Sequence, residues 1–252
     1  MKKPWIVTLG LLANVSQADI LFTAEVGASM WQVEASGSVD DADLGEEGMN
    51  LDTSGKMNVY ASFEHPLPIL PNIKVANTNL TLEGTNDKVN FDFDGTSFEG
   101  KAKADVDLSH TDLTLYWGLP LPVPYLDINV GLTGRQFDGF VEVQGDAEVN
   151  GQIQTETEIV EFNQVLPMGY LGVKLGDFFG VYAYADLNYV GYDDNSFSDF
   201  TAALGYELPV PIIGISFEGG YRQMKLKTDI DDFVSDVELS GPFGGINFSL
   251  GF

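Results

Sequence analysis

The sequence predicts an all-β protein, a single closed antiparallel up-and-down transmembrane β-barrel of about ten strands, with eight or twelve as the fallback counts. Three observations carry this. Period-two alternation of apolar and polar residues runs through most of the chain, with no sustained helical period. The connections alternate between short, apolar, often proline-rich turns and longer acidic stretches, which is the two-rim asymmetry of membrane barrels. The chain closes on Gly244-Gly245-Ile246-Asn247-Phe248-Ser249-Leu250-Gly251-Phe252, a period-two strand with an aromatic last residue. Such a strand must pair with the first one and show Ile246, Phe248, Leu250 and Phe252 to lipid, where they serve as a C-terminal assembly signal.

The opening residues fit. Met1-Lys2-Lys3-Pro4 is a basic head, Trp5 to Ala13 an apolar stretch, and Asn14-Val15-Ser16-Gln17-Ala18 a small-x-small cleavage site. Residues 1–18 read as a secretory signal peptide, leaving residues 19–252 as the barrel. The apolar stretch is shorter than the ~20 residues a bilayer span requires.

The strands follow in order. The first, Ile20 to Ala35, sets Ile20, Phe22, Ala24, Val26, Ala28 and Met30 against Thr23, Glu25, Gly27 and Ser29. The second, Thr53 to Glu64, sets Met57, Val59, Ala61 and Phe63 against Asn58, Tyr60, Ser62 and Glu64. The third, Ile73 to Gly84, is less clean, and the fourth ends with Thr111, Leu113, Leu115 and Trp117 on one face. The fifth offers Leu126, Ile128, Val130 and Leu132 to lipid. The sixth offers Val165, Leu171, Val173 and Leu175; the seventh Val181, Ala183, Ala185, Leu187 and Tyr189. The eighth puts Phe200, Ala202, Leu204, Tyr206 and Leu208 outward, with Thr201, Ala203, Gly205 and Glu207 inward. The ninth has Ile215, Phe217, Gly219 and Tyr221 against Ser216, Glu218, Gly220 and Arg222, and the terminal strand is the tenth.

Short turns follow the even strands: His65 to Asn72, Leu119 to Pro124, Gly176 to Gly180 and Pro209 to Ile212. Proline lacks the ladder donor and so ends strand pairing. The other rim carries Gly37 to Asp52, Asp138 to Glu161 and Thr228 to Glu238, expected as acidic external loops. Outward aromatics gather near strand ends, Phe22, Phe63, Trp117, Tyr206 and Phe252 at one rim and Tyr189 and Tyr221 at the other, at headgroup level.

The chain of 252 residues carries 12 Lys+Arg against 38 Asp+Glu, a formal charge of −26, and no cysteine. Disulfide and thiol chemistry are excluded, and so acidic a surface repels nucleic acid and attracts cations.

Several motifs carry a resemblance: Glu64-His65-Pro66-Leu67-Pro68 with Pro71-Asn72-Ile73, Leu108-Ser109-His110-Thr111-Asp112, Leu166-Pro167-Met168, Gly220-Tyr221-Arg222 with Lys225-Leu226, and Gly241-Pro242-Phe243-Gly244-Gly245. Together they resemble a family of Gram-negative outer-membrane β-barrel proteins that co-occur with a GlyGly C-terminal sorting system. The resemblance spans nearly the whole mature chain. It implies the fold and the cell outer membrane, and it implies no catalytic residues.

Chemistry in the residues themselves is sparse. His65 precedes Pro66 in a turn, and His110 falls on the lumen side with Asp112, Thr114 and Tyr116. A surface hydrolase could use His110 with an Asp or Ser, but no nucleophile motif accompanies it. Asn90-Phe91-Asp92-Phe93-Asp94-Gly95 imitates the opening of a calcium loop, yet its twelfth position is Lys101 rather than Glu. No cofactor, metal or catalytic residue is expected. Lumen charges are expected at Glu25, Lys56, Glu64, Asp127, Arg135, Lys174, Asp186, Glu207, Glu218 and Arg222, paired or wetted because a lone buried charge is costly.

The leading expectation is a non-enzymatic surface barrel serving membrane structure, surface contact or adhesion, and cation association. A narrow cation-preferring, porin-like channel is the alternative. The expected partners are the lipid bilayer and lipopolysaccharide, periplasmic chaperones, the barrel-assembly machinery and divalent cations.

Overall fold

The computed structural model describes residues 22–251 apart from 40–41, 46–47, 150–151, 211–212 and 231–232. The signal segment, Ile20 and Phe252 lie outside the described residues. The strands are β1 (Thr23–Val39), β2 (Ala42–Asp43), β3 (Ser54–Glu64), β4 (Asn72–Thr78), β5 (Thr81–Phe93), β6 (Thr96–Asp107) and β7 (His110–Gly118). They continue with β8 (Leu126–Val149), β9 (Gln152–Phe178), β10 (Val181–Tyr192), β11 (Asn195–Glu207), β12 (Ile213–Ile230) and β13 (Phe233–Gly251).

Ten of these close the barrel, in the order β1, β3, β4, β7, β8, β9, β10, β11, β12, β13 and back to β1. Every pairing is antiparallel. The seam between β13 and β1 runs from Thr23↔Gly251 to Val39↔Ser235. A closed seam leaves no unpaired edge, the condition for a sheet to stand in hydrocarbon.

The less regular third and fourth strands have a cause. Each is broken, at Asn79-Leu80 and at Leu108-Ser109. Below the break β4 and β7 stay in the wall; above it β5 and β6 form a hairpin that pairs with the upper part of β8. The Leu80 N–H donates to Ser109 Oγ (3.0 Å) and the Leu108 N–H to the Leu80 carbonyl (2.8 Å), which ties the two breaks together.

Two of the three expected acidic loops are corrected to strand. Residues 138–149 and 152–161 extend β8 and β9 in one register, from Leu126↔Leu175 to Val149↔Gln152. Residues 228–230 and 233–238 likewise extend β12 and β13. Gly37 to Asp52 stays largely irregular around the short β2. The calcium-like segment is a hairpin tip, because Phe93 pairs with Thr96 and Asp94 and Gly95 (φ 46° and 80°) make the two-residue turn.

The extended strands carry their apolar residues first on one face and then on the other. Along β8 the outward positions Val130 and Leu132 are exposed apolar residues, whereas the inward Thr133 is polar and buried. Beyond Arg135 the phase changes sides. The inward positions Phe137, Val143 and Ala147 are now buried and apolar, while the outward ones become Gln136, Asp138, Glu142 and Gln144. The register does not slip. The same change occurs at Trp31 in β1, Asp199 in β11 and Arg222 in β12.

The barrel thus has two chemically inverted halves. In the short-turn half an apolar belt faces outward, including Val26, Met30, Leu113, Leu132, Leu204, Phe217 and Phe248. A continuous apolar belt of this kind belongs against hydrocarbon. In the long-hairpin half the pattern is that of a soluble sheet, apolar inside and polar outside, with a core that includes Trp31, Leu80, Leu82, Phe93, Phe98 and Val143. Each of these larger side chains contributes about 1.5–3 kcal/mol by leaving water.

Candidate functional site

The interior is layered, and the layers follow from the inversion. Nearest the short turns lies a layer of tyrosines and carboxylates. Tyr60 hydrogen-bonds to Glu25, Tyr116 Oη donates to Glu64 Oε1 (2.8 Å), and Tyr170 Oη donates to Asp186 Oδ1 (2.8 Å). The Tyr116 and Tyr170 rings meet edge to face at 5.8 Å. Lys74 Nζ reaches Asp186 Oδ2 at 3.5 Å and lies 4.9 Å over the Tyr60 ring. Asn247 Nδ2 donates to Glu218 Oε2 (2.9 Å).

The second layer sits at the level where the apolar phase changes sides. Arg135 is fully buried, and its Nε and Nη2 donate to the two carboxylate oxygens of Asp112, each at 2.7 Å. The same Nη2 donates to Asp199 Oδ2 at 2.6 Å. Arg222 donates to Asp199 through Nε (3.0 Å) and Nη2 (2.7 Å), and to Thr78 Oγ1 through Nη1 (3.2 Å). Arg222 also lies 4.8 Å over the Trp31 ring, and Arg135 lies 5.3 Å over Phe197. Four strands supply the charges: β7, β8, β11 and β12. Two guanidiniums face two carboxylates in paired geometry, so the layer is locally neutral and bidentate.

Between these layers is a cavity of about 100 Å³, bordered by Tyr60, Lys74, Asp186, Glu218 and Arg222 among others. It is a small polar hollow with room for several waters. Above the ion layer lies a larger cavity of about 480 Å³, the interior of the inverted half. Its wall is almost wholly aliphatic and aromatic, with Leu82, Phe137, Phe162, Leu166, Met224 and Leu239 among its members.

The expected lumen charges divide between these places. Arg135 and Arg222 form the ion layer, and Glu25, Glu64, Asp186 and Glu218 join the tyrosine layer. Lys56 is buried on the inner face of β3, opposite Trp31 in register. Asp127 and Lys174 pair in register near the short turns and are exposed, with Lys174 4.7 Å over the Tyr182 ring. Glu207 is exposed at the end of β11. Of the terminal strand's signal residues, Phe248 and Leu250 are exposed on the outer face and Ile246 is half-buried.

Asp199 and Lys74 were not among the expected charges. Both were readable by parity, Asp199 with Thr201 and Ala203, and Lys74 with Ala76. His65 is a turn residue, its Nε2 3.1 Å from the Pro71 carbonyl and its N–H donating to Asn72 Oδ1. His110 is buried, its Nδ1 2.8 Å from the Leu108 carbonyl and its ring 5.4 Å from that of Phe137. His110, Asp112 and Asp199 form the one group among the described residues that could hold a metal ion, with ligand atoms within 4.8 Å. Arg135 already occupies both carboxylates, so these residues fit a cation poorly.

Taken together, closure, strand count and the outward belt define a ten-stranded barrel of the outer-membrane type. Among solved structures the chain is similar to the outer membrane protease OmpT of Escherichia coli, at 13% identity, with 92% of this chain and 97% of that one covered and a TM-score of 0.51. At that identity the likeness shows the fold alone. The attachment invasion locus protein Ail of Yersinia pestis (11% identity, 92% and 99% covered, TM-score 0.30) and the outer membrane protein OprG of Pseudomonas aeruginosa (10%, 92% and 95%, 0.29) are less similar. No protein-family model matches the chain, and no curated protein sequence does.

Proposed function

We propose that this chain is a non-enzymatic barrel of the Gram-negative outer membrane with a closed lumen, which presents its long-hairpin end outside the cell for surface contact. The observation that carries the reading is the neutral Arg135–Asp112–Asp199–Arg222 layer across the barrel interior. The apolar belt supports the membrane address, and the acidic balance of 38 Asp+Glu to 12 Lys+Arg supports an association with divalent cations and lipopolysaccharide at the outer rim. The turn and terminal-strand motifs support kinship with the barrel family that co-occurs with GlyGly sorting and delivery by periplasmic chaperones to the barrel-assembly machinery, and the basic head, apolar stretch and small-x-small site of residues 1–18 support export.

The absence of an activity is part of the proposal. His110 is enclosed by Phe137 and the Leu108 carbonyl, and both neighbouring carboxylates are held by arginines. A general base needs reach to a substrate proton, which this setting denies. Single-channel recording on the refolded barrel tests the closed lumen. No steps above baseline are expected, and steady cation-selective steps would replace this reading with the channel. Unchanged hydrolysis blanks for wild type and His110→Ala are expected; activity lost in the variant would establish a hydrolase.

A further inference from the structure

We infer that the cavity above the ion layer is a binding site for one uncharged lipophilic molecule of about 15–20 carbon atoms. The size follows from the volume. The cavity of about 480 Å³ is about three times the ~150 Å³ that accommodates one benzene. It falls within the ~300–1,000 Å³ of small-molecule sites. Folded interiors leave few apolar hollows of this size in their packing.

The chemistry follows from the wall. Phe137, Phe162, Leu166, Met224 and Leu239 approach from β8, β9, β12 and β13, and Leu82 from the β5–β6 hairpin. No carboxylate borders the cavity among the described residues, and the single bordering cation is Lys227, an exposed residue standing opposite Asp236 in register. An anionic headgroup therefore meets one exposed lysine that stands opposite a carboxylate, on a chain whose net charge is −26. A cation would find no carboxylate in the wall to compensate its charge. An uncharged chain or fused-ring hydrocarbon with at most one hydroxyl fits, its polar end toward Ser196, Thr228 or Ser235.

The ion layer makes this a terminal site rather than a passage. Arg135 stacks on Phe197 at the cavity floor, and both guanidiniums are committed to carboxylates. The proposal shares the closed floor with the reading above, yet its test involves no current, so the two can fail separately.

The test is equilibrium binding of tritiated hexadecan-1-ol to the barrel in lipid nanodiscs, against empty discs of the same lipid. Palmitate at pH 8 serves as the anionic chain of equal length. Saturable binding of one hexadecan-1-ol per barrel is expected, with palmitate at least tenfold weaker. Val190→Trp and Leu226→Trp, which fill the cavity from two walls, should each weaken binding at least tenfold. A diazirine-bearing hexadecan-1-ol should label Phe162, Leu166 or Met224 in the wild-type protein, which keeps the test decisive if either tryptophan variant fails to fold. Binding no greater than in empty discs, labels confined to the outward belt, or palmitate binding as tightly as the alcohol would overturn the proposal.

Discussion

Replacing Arg135 with methionine probes the layer on which the closed lumen depends. Arg135 gives Asp112 both of its strong hydrogen bonds, at 2.7 Å each, and shares Asp199 with Arg222. In Arg135→Met the layer goes from neutral to a charge of about −1, Asp199 keeps Arg222, and Asp112 is left buried with its ion partner gone. Removing one member of a buried pair costs about 3–5 kcal/mol, most of it the burden of the stranded charge. Replacing both partners, as Arg135→Met with Asp112→Leu, should recover most of that loss, because the stranded carboxylate is gone. The coupling in the double-mutant cycle should exceed about 2 kcal/mol. Urea unfolding in lipid vesicles, followed by the fluorescence of Trp31 beside Arg222, measures all four corners of the cycle. A coupling under about 0.5 kcal/mol, or an Arg135→Met barrel as stable as wild type, would refute the reasoning.

Other expectations follow from the same geometry. Leu204 is 66% exposed on the outer belt, so Leu204→Arg should cost about 2–4 kcal/mol, whereas Ser198→Arg, outward on the same strand beyond the inversion, should cost under about 1 kcal/mol in the same unfolding assay. A Cβ on Gly241 would stand 1.8 Å from the Gln32 carbonyl oxygen, so Gly241→Val should strain the β1–β13 seam by at least about 1–3 kcal/mol and lower the unfolding midpoint. Glu238 is bridged by Lys225 (2.8 Å), which holds its carboxyl below the usual value. A depressed carboxyl stabilises the fold above its unfolded pKa, and the contribution fades as pH falls through the lower, folded one. The acid limb of the stability profile should therefore be shallower in Glu238→Gln. Deleting Phe252 should lower the yield of outer-membrane protein, read by fractionation; full yield would contradict the role assigned to the terminal strand.

Much of the fold was legible because lipid enforces alternation. Val130 and Leu132 must face outward and Thr133 inward, and that pattern alone places β8. The same rule failed beyond Arg135 for a physical reason. There water replaces lipid outside, so apolar residues move to the other parity, and Asp138, Glu142 and Asp146 look like a loop when the original face is followed. Following both faces would have read residues 138–161 as strand. The break at Leu108-Ser109 left no period-two trace, since its cause is a long-range pairing with Asn79-Leu80. Of the ion layer, Arg135 and Arg222 were anticipated as lumen charges and Asp112 was placed inward by parity. Their partnership across strands is set by barrel register, which one strand's residues cannot announce. The large cavity was hidden for the same reason as the long strands, because its wall is made of the residues whose parity changed.

The two-sided barrel wall can be measured directly, since the chain has no cysteine to remove. Spin labels at single cysteines introduced at the even positions of β8, from Leu126 to Gln144, report whether oxygen or a water-soluble nickel chelate reaches each site. Oxygen should dominate at 126, 128, 130 and 132, and the chelate from 136 onward, with the crossover at the level of Arg135. Oxygen dominance continuing through 144, or chelate access throughout, would contradict the account of lipid outside one half and water outside the other.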